Sequence, residues 1–112
     1  MQIRSHLRSL AWAVAAGPLA LGSAAAQEKF PTVQVSELPH TIVLQWNDYK
    51  PSLGPVGRCA TAFDRGAGPE REAFTCSIYV KISAVAARKS MARCEELRAQ
   101  KKIKAPCQII RD

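Results

Sequence analysis

The residues of this chain best suited to chemistry are four cysteines, Cys59, Cys76, Cys94 and Cys107, and their spacing decides which chemistry. A zinc site draws on close pairs such as Cys-x-x-Cys or on neighbouring histidines. A dithiol redox centre needs Cys-x-x-Cys or a thiolate of depressed pKa, and haem attachment needs Cys-x-x-Cys-His. None of these patterns occurs, and the only histidines are His6 and His40. An even number of widely spaced cysteines in a short chain reads instead as two structural disulfides, with no metal and no cofactor.

Catalytic groups are equally sparse. A serine or cysteine nucleophile wants a base in reach, and His40 is an isolated histidine following Pro39. No Gly-x-Ser-x-Gly elbow, His-Glu-x-x-His or phosphate-cradling glycine loop is present. Paired carboxylates can do acid and base work, but Glu70 and Glu72 fall in a loop-like run and Glu95 and Glu96 among cations. Their expected role is solubilising charge, and the expectation is a protein that is not an enzyme.

The disulfide reading depends on compartment, which the first residues address. Residues 1–26 carry Arg4 and Arg8 and no acid, then the apolar stretch Leu10 to Leu21, then small residues ending Ala24-Ala25-Ala26. That is the three-part pattern of a secretory signal cleaved before Gln27. The apolar stretch is shorter than the roughly 20 residues a spanning helix needs, and Gly17-Pro18 interrupts it. The expected product is one exported domain, 27–112, periplasmic or secreted, with no transmembrane anchor after processing. Removing Arg4 and Arg8 takes the formal charge from +7 to +5, so the exported part stays basic.

A domain of this size lies near the lower limit for a self-sufficient core, and its elements must be short. Thr32 to Val35 and Thr41 to Trp46 both alternate apolar and polar residues, the second aligning Ile42, Leu44 and Trp46, which predicts two half-buried strands. "NDYKPSLGP", residues 47–55, has the composition of a loop. Val56 to Asp64 and Ala73 to Ile82 alternate again around "RGAGPERE", predicting a hairpin in which Cys59 lies across from Cys76. From Ser83, the expected N-cap, the period becomes helical. Ala86, Ala87, Met91, Cys94 and Leu97 then share one arc at about 100° per residue. Pro106 ends that helix and "PCQII" returns as a last strand, bringing Cys107 under Cys94. The favoured bridges are Cys59–Cys76 and Cys94–Cys107. Because Cys76 faces the helix in this arrangement, Cys76–Cys94 with Cys59–Cys107 is the competing pairing. The expected fold is α+β in the order β-β-β-β-α-β, an antiparallel sheet of four to five strands with one helix on one face.

Without catalytic groups, function falls to surfaces. Trp46, Asp48, Tyr49 and Lys50 place aromatics beside charges in the expected loop, the composition of a binding hot spot; the simpler reading has Trp46 facing the core with Tyr49 covering it. Arg88, Lys89, Arg93, Lys101 and Lys102 form a basic helix face. It suits an acidic partner, or it is simply a solvated face. Basic residues without interleaved aromatics give salt-sensitive, sequence-blind binding, so no specific nucleic-acid role is expected. The expected function is a non-catalytic accessory or binding protein with a protein partner; the alternative is a binder of anionic polymer or lipid through the basic helix.

Overall fold

The computed structural model describes residues 30–112; the expected signal segment lies outside them. The described chain runs β1 (Thr32–Gln34), α1 (His40–Leu53), β2 (Arg58–Phe63), β3 (Glu72–Ser77), α2 (Ser83–Lys101) and β4 (Gln108–Arg111). Single 3-10 turns lie at Val35–Glu37 and Pro69–Arg71. The α+β class holds, but the order is β-α-β-β-α-β and the sheet is mixed. Its strand order is β1-β4-β2-β3, with β4 parallel to β1 and antiparallel to β2. The sheet carries a helix on each face rather than one helix on one face.

The largest departure from the sequence reading is α1. A run with Ile42 and Trp46 apolar satisfies a two-residue period and also the i, i+4 spacing of a helix. Extending to Leu53 separates the two: in helical geometry Ile42, Trp46 and Leu53 fall on one stripe, and all three are buried. Leu44, aligned with them in a strand, points away and is 51% exposed. The expected loop 47–55 therefore supplies most of the helix's second half, and the isolated His40 is its exposed first residue. Pro51 lies in the last turn, where one missing N–H removes a single ladder bond. Gly54, at φ 60°, ends the helix in a backbone conformation that glycine adopts without a Cβ penalty. Three residues on, the Gly57 N–H donates to the Leu53 carbonyl at 2.9 Å, and a Cβ on Gly57 would meet that oxygen at 2.6 Å. Glycine is thus what lets β2 start directly against the end of α1.

The β2–β3 hairpin follows expectation. Its register sets Cys59 opposite Cys76, and the two are joined. β3 stops at Ser77, however, so Ile78, Val80 and Ile82 do not extend the sheet. Residues alternate between faces along each strand, which sorts the core into two clusters. Val33, Cys59, Phe63 and Ile110 pack with Ile42, Trp46 and Leu53 of α1. Ala60, Ala62, Ala73 and Ile109 pack with Ala87 and Cys94 of α2, together with Ile103 and Cys107. The α2 side is built from small residues, and the buried Ser90 meets it with a hydroxyl that donates to the Arg58 carbonyl at 2.9 Å and reaches Ser77 Oγ at 3.0 Å. Pairing both polar groups removes the penalty of burying them alone.

Because Cys76 lies on the α1 face, it cannot reach Cys94 on the α2 face. The observed second bridge is Cys94–Cys107, and the competing connectivity is excluded. Ser83 is the first helical residue of α2 rather than its cap; Ile82 holds the cap position, without a side-chain cap bond. Two disulfides place the protein in an oxidising, non-cytoplasmic compartment. No helix among the described residues is long and apolar enough to cross a membrane.

Candidate functional site

Half of the basic side chains between Cys94 and Cys107, those of Arg98 and Lys101, are bonded within the fold, while Lys102 and Lys104 contribute backbone groups and leave their side chains exposed. α2 ends at Lys102, which takes the left-handed conformation at φ 55°, with its N–H donating to the Ala99 carbonyl and Ile103 N–H to the Arg98 carbonyl. This is the doubly bonded terminus that satisfies the last helical carbonyls, here with buried Ile103 as the apolar contact beyond it. Arg98 then holds the following turn by its carbonyls, Nε donating to Ala105 at 2.8 Å and Nη2 to Lys104 at 3.0 Å. Asp64, just past β2, holds the same turn by its amides, accepting from Lys104 and Ala105 N–H at 2.9–3.1 Å. Lys101 donates from Nζ to the Glu72 carbonyl at 2.8 Å. The far end of the predicted basic face is thus tied to the hairpin.

The two backbone donors, with Arg71 3.6 Å away, hold the Asp64 carboxyl below the ordinary aspartate range. A depressed folded pKa contributes stability that is fully present above the unfolded pKa and is lost as pH falls through the folded value. Asp64→Asn should therefore lower the urea midpoint at neutral pH and flatten its fall on the acid side. Midpoints measured from pH 7 to pH 2 check this; parallel curves for the two proteins would show that Asp64 does not couple folding to protons.

The near end of that face is different. Lys89 and Arg93 lie exposed one turn apart near the middle of α2 and line a groove of about 310 Å³ whose other wall is Cys76, Ile78, Tyr79 and Val80. Arg88 is exposed beside Lys89. Beyond Ser77 the chain leaves the sheet with Tyr79 95% and Ile82 59% exposed. Since β3 is the outermost strand on this side, its outer edge has no strand neighbour among the described residues. An unpaired edge, an exposed tyrosine and two cations are brought together here.

The aromatic candidates are placed on α1, not on a loop. Trp46 is 5% exposed, whereas Tyr49 is part-exposed with its ring 5.8 Å from that of Phe74. Asp48 and Lys50 are exposed, and Lys50 pairs with Asp112 at 2.7 Å. Trp46 and Lys50 also line a larger cleft, about 540 Å³, between the end of α1 and the ends of β2 and β4. Leu53 and Ile110 add apolar wall, and Arg58 and Arg111 add charge.

The sequence reading missed Tyr79, Arg58 and Arg111. Tyr79 fell at an outward position of an over-extended strand, where exposure is ordinary. The arginines meet only because β4 inserts beside β2, a pairing across the whole domain that local periodicity does not carry. Among the described residues, no group of three or more His, Cys, Asp or Glu side chains is placed to hold a metal ion. Comparison with protein families, curated proteins and solved structures returns no match to this chain.

Proposed function

We propose that this chain is a periplasmic or secreted, non-catalytic binding protein that docks a protein partner along the outer edge of β3 and the segment Ile78–Ile82. The observation that carries the reading is the exposure of Tyr79, at 95%, beside Ile82 and above a groove walled by Lys89 and Arg93. Tyrosine flanked by apolar area and a positive charge is the composition of interface hot spots, and an unpaired sheet edge offers backbone groups to an incoming strand. Lys89 and Arg93 favour a partner with acidic residues at this place.

The second reading, an electrostatic binder of anionic polymer or lipid through α2, rests on Arg88, Lys89 and Arg93 and on the formal charge of +7 for the whole chain, +5 without the expected signal segment. Salt separates the two. At about 0.5 M the Debye length is only a few Å, so a docked protein partner should remain bound in an envelope extract while a purely electrostatic complex dissociates. Tyr79→Ala should weaken the protein complex about tenfold or more, as loss of an aromatic anchor does. It should leave retention on an anionic resin unchanged. A partner that binds the variant as tightly as the natural protein would overturn the assignment of this edge.

A further inference from the structure

The larger cleft stands apart from the β3 edge, and we propose that it is a binding site for a small organic carboxylate with an apolar body. Its volume, about 540 Å³, is within the range of small-ligand sites. Trp46, Leu53 and Ile110 supply apolar wall, and three cations, Lys50, Arg58 and Arg111, surround it with one acid, Asp112. The register that sets Ala60 against Ile109 brings Arg58 and Arg111 to the same end of the sheet, at its rim, where they line both this cleft and a smaller one of about 160 Å³ beside Phe30 and Ala87 on the α2 side. Like charges directly opposite on neighbouring strands repel, and a bound anion would relieve that repulsion.

The partners of these cations show how much of the charge is already used. Arg58 spends Nη1 on the carbonyls of Pro55 at 3.2 Å and Gly57 at 2.7 Å. That fixes the guanidinium in place, and among the described residues neither Arg58 nor Arg111 forms an ion pair. Lys50 holds the Asp112 carboxylate at 2.7 Å with both side chains more than half exposed. A carboxylate of the chain itself thus already rests in the cleft, in an exposed pair of the kind that holds weakly and that a ligand can displace. Arginine forks match a carboxylate in two parallel bonds, while the apolar wall has nothing to offer an inorganic anion. A head-and-body ligand uses both halves of the site.

Trp46 lines the cleft, and the chain's other tryptophan is Trp12. In the full chain carrying Trp12→Phe, Trp46 fluorescence reports on this site alone, whether or not the first residues are removed. Titration with decanoate below its micelle concentration should give a saturable change. Decanol, which lacks the charge, and acetate, which lacks the body, should each require at least tenfold more. Arg111→Ala, at an exposed position, should weaken decanoate binding about tenfold, as loss of a charge-assisted hydrogen bond does, and Arg111→Lys should restore part of it. A response that never saturates, decanol binding as tightly as decanoate, or unchanged affinity in Arg111→Ala would each overturn the proposal.

Discussion

Removing both disulfides is expected to unfold this protein at physiological temperature. The bridges close segments of 17 and 13 residues, and in the chain-entropy model each stabilises by about 3 kcal/mol. Together that approaches the whole net stability of a small domain, about 5–15 kcal/mol. Cys59, Cys94 and Cys107 are fully buried, so alanine is the substitution that leaves no polar group unpaired. Cys94→Ala with Cys107→Ala, and Cys59→Ala with Cys76→Ala, should each lower the melting temperature by on the order of 15 °C for a domain of this size. The four-alanine protein should show no cooperative transition. Circular dichroism melts with and without reductant check the same point, and an unchanged melt under reduction would show that the bridges carry no stability.

Ile42→Ala should cost about 2–5 kcal/mol, the range for truncating a buried branched side chain in a core that cannot collapse around the gap. Leu44→Ala should stay within about 0.5 kcal/mol, as surface changes do. Ile42 is wholly buried between α1 and the sheet, while Leu44 is half exposed on the helix's outer side. In a strand the two residues would share one face and respond alike. Urea unfolding of the two variants therefore reads out the helix directly, and equal losses would contradict it.

That pair of residues also marks where sequence reasoning reached its limit. Over Thr41 to Trp46 the apolar residues fit both periods, and the turn-forming composition of residues 47–55 argued for stopping early. Burial of Leu53 was the deciding signal, and Pro51 and Gly54 hid it. The β2–β3 hairpin and α2 were legible because their patterns are long and unambiguous. They favoured the two observed bridges but left Cys76–Cys94 with Cys59–Cys107 open, because the pattern does not say that the two helices take opposite faces of the sheet, which is what separates Cys76 from Cys94. The sheet order was not legible, because nothing local says that the last strand enters between the first and the second. The surface reading suffered for the same reason. Lys101 and Lys102 look like Lys89 in the sequence, yet the fold uses one to tie α2 to Glu72 and places the other at the left-handed helix terminus. Lys89 remains open beside Tyr79.

The position of β4 has a consequence for how the domain is assembled. The one sheet partner of β1 is β4, so the first strand of the domain joins the sheet only through the last. The β2–β3 hairpin and α2 can form by local contacts, but the pairing of Thr32 with Ile109 spans nearly the whole described domain and belongs to the slow, non-local class. Until β4 arrives, the inner edges of β1 and β2 are both unzipped. One four-residue strand thus joins the two halves, and the bridge from Cys107, the residue just before it, bolts that strand to α2.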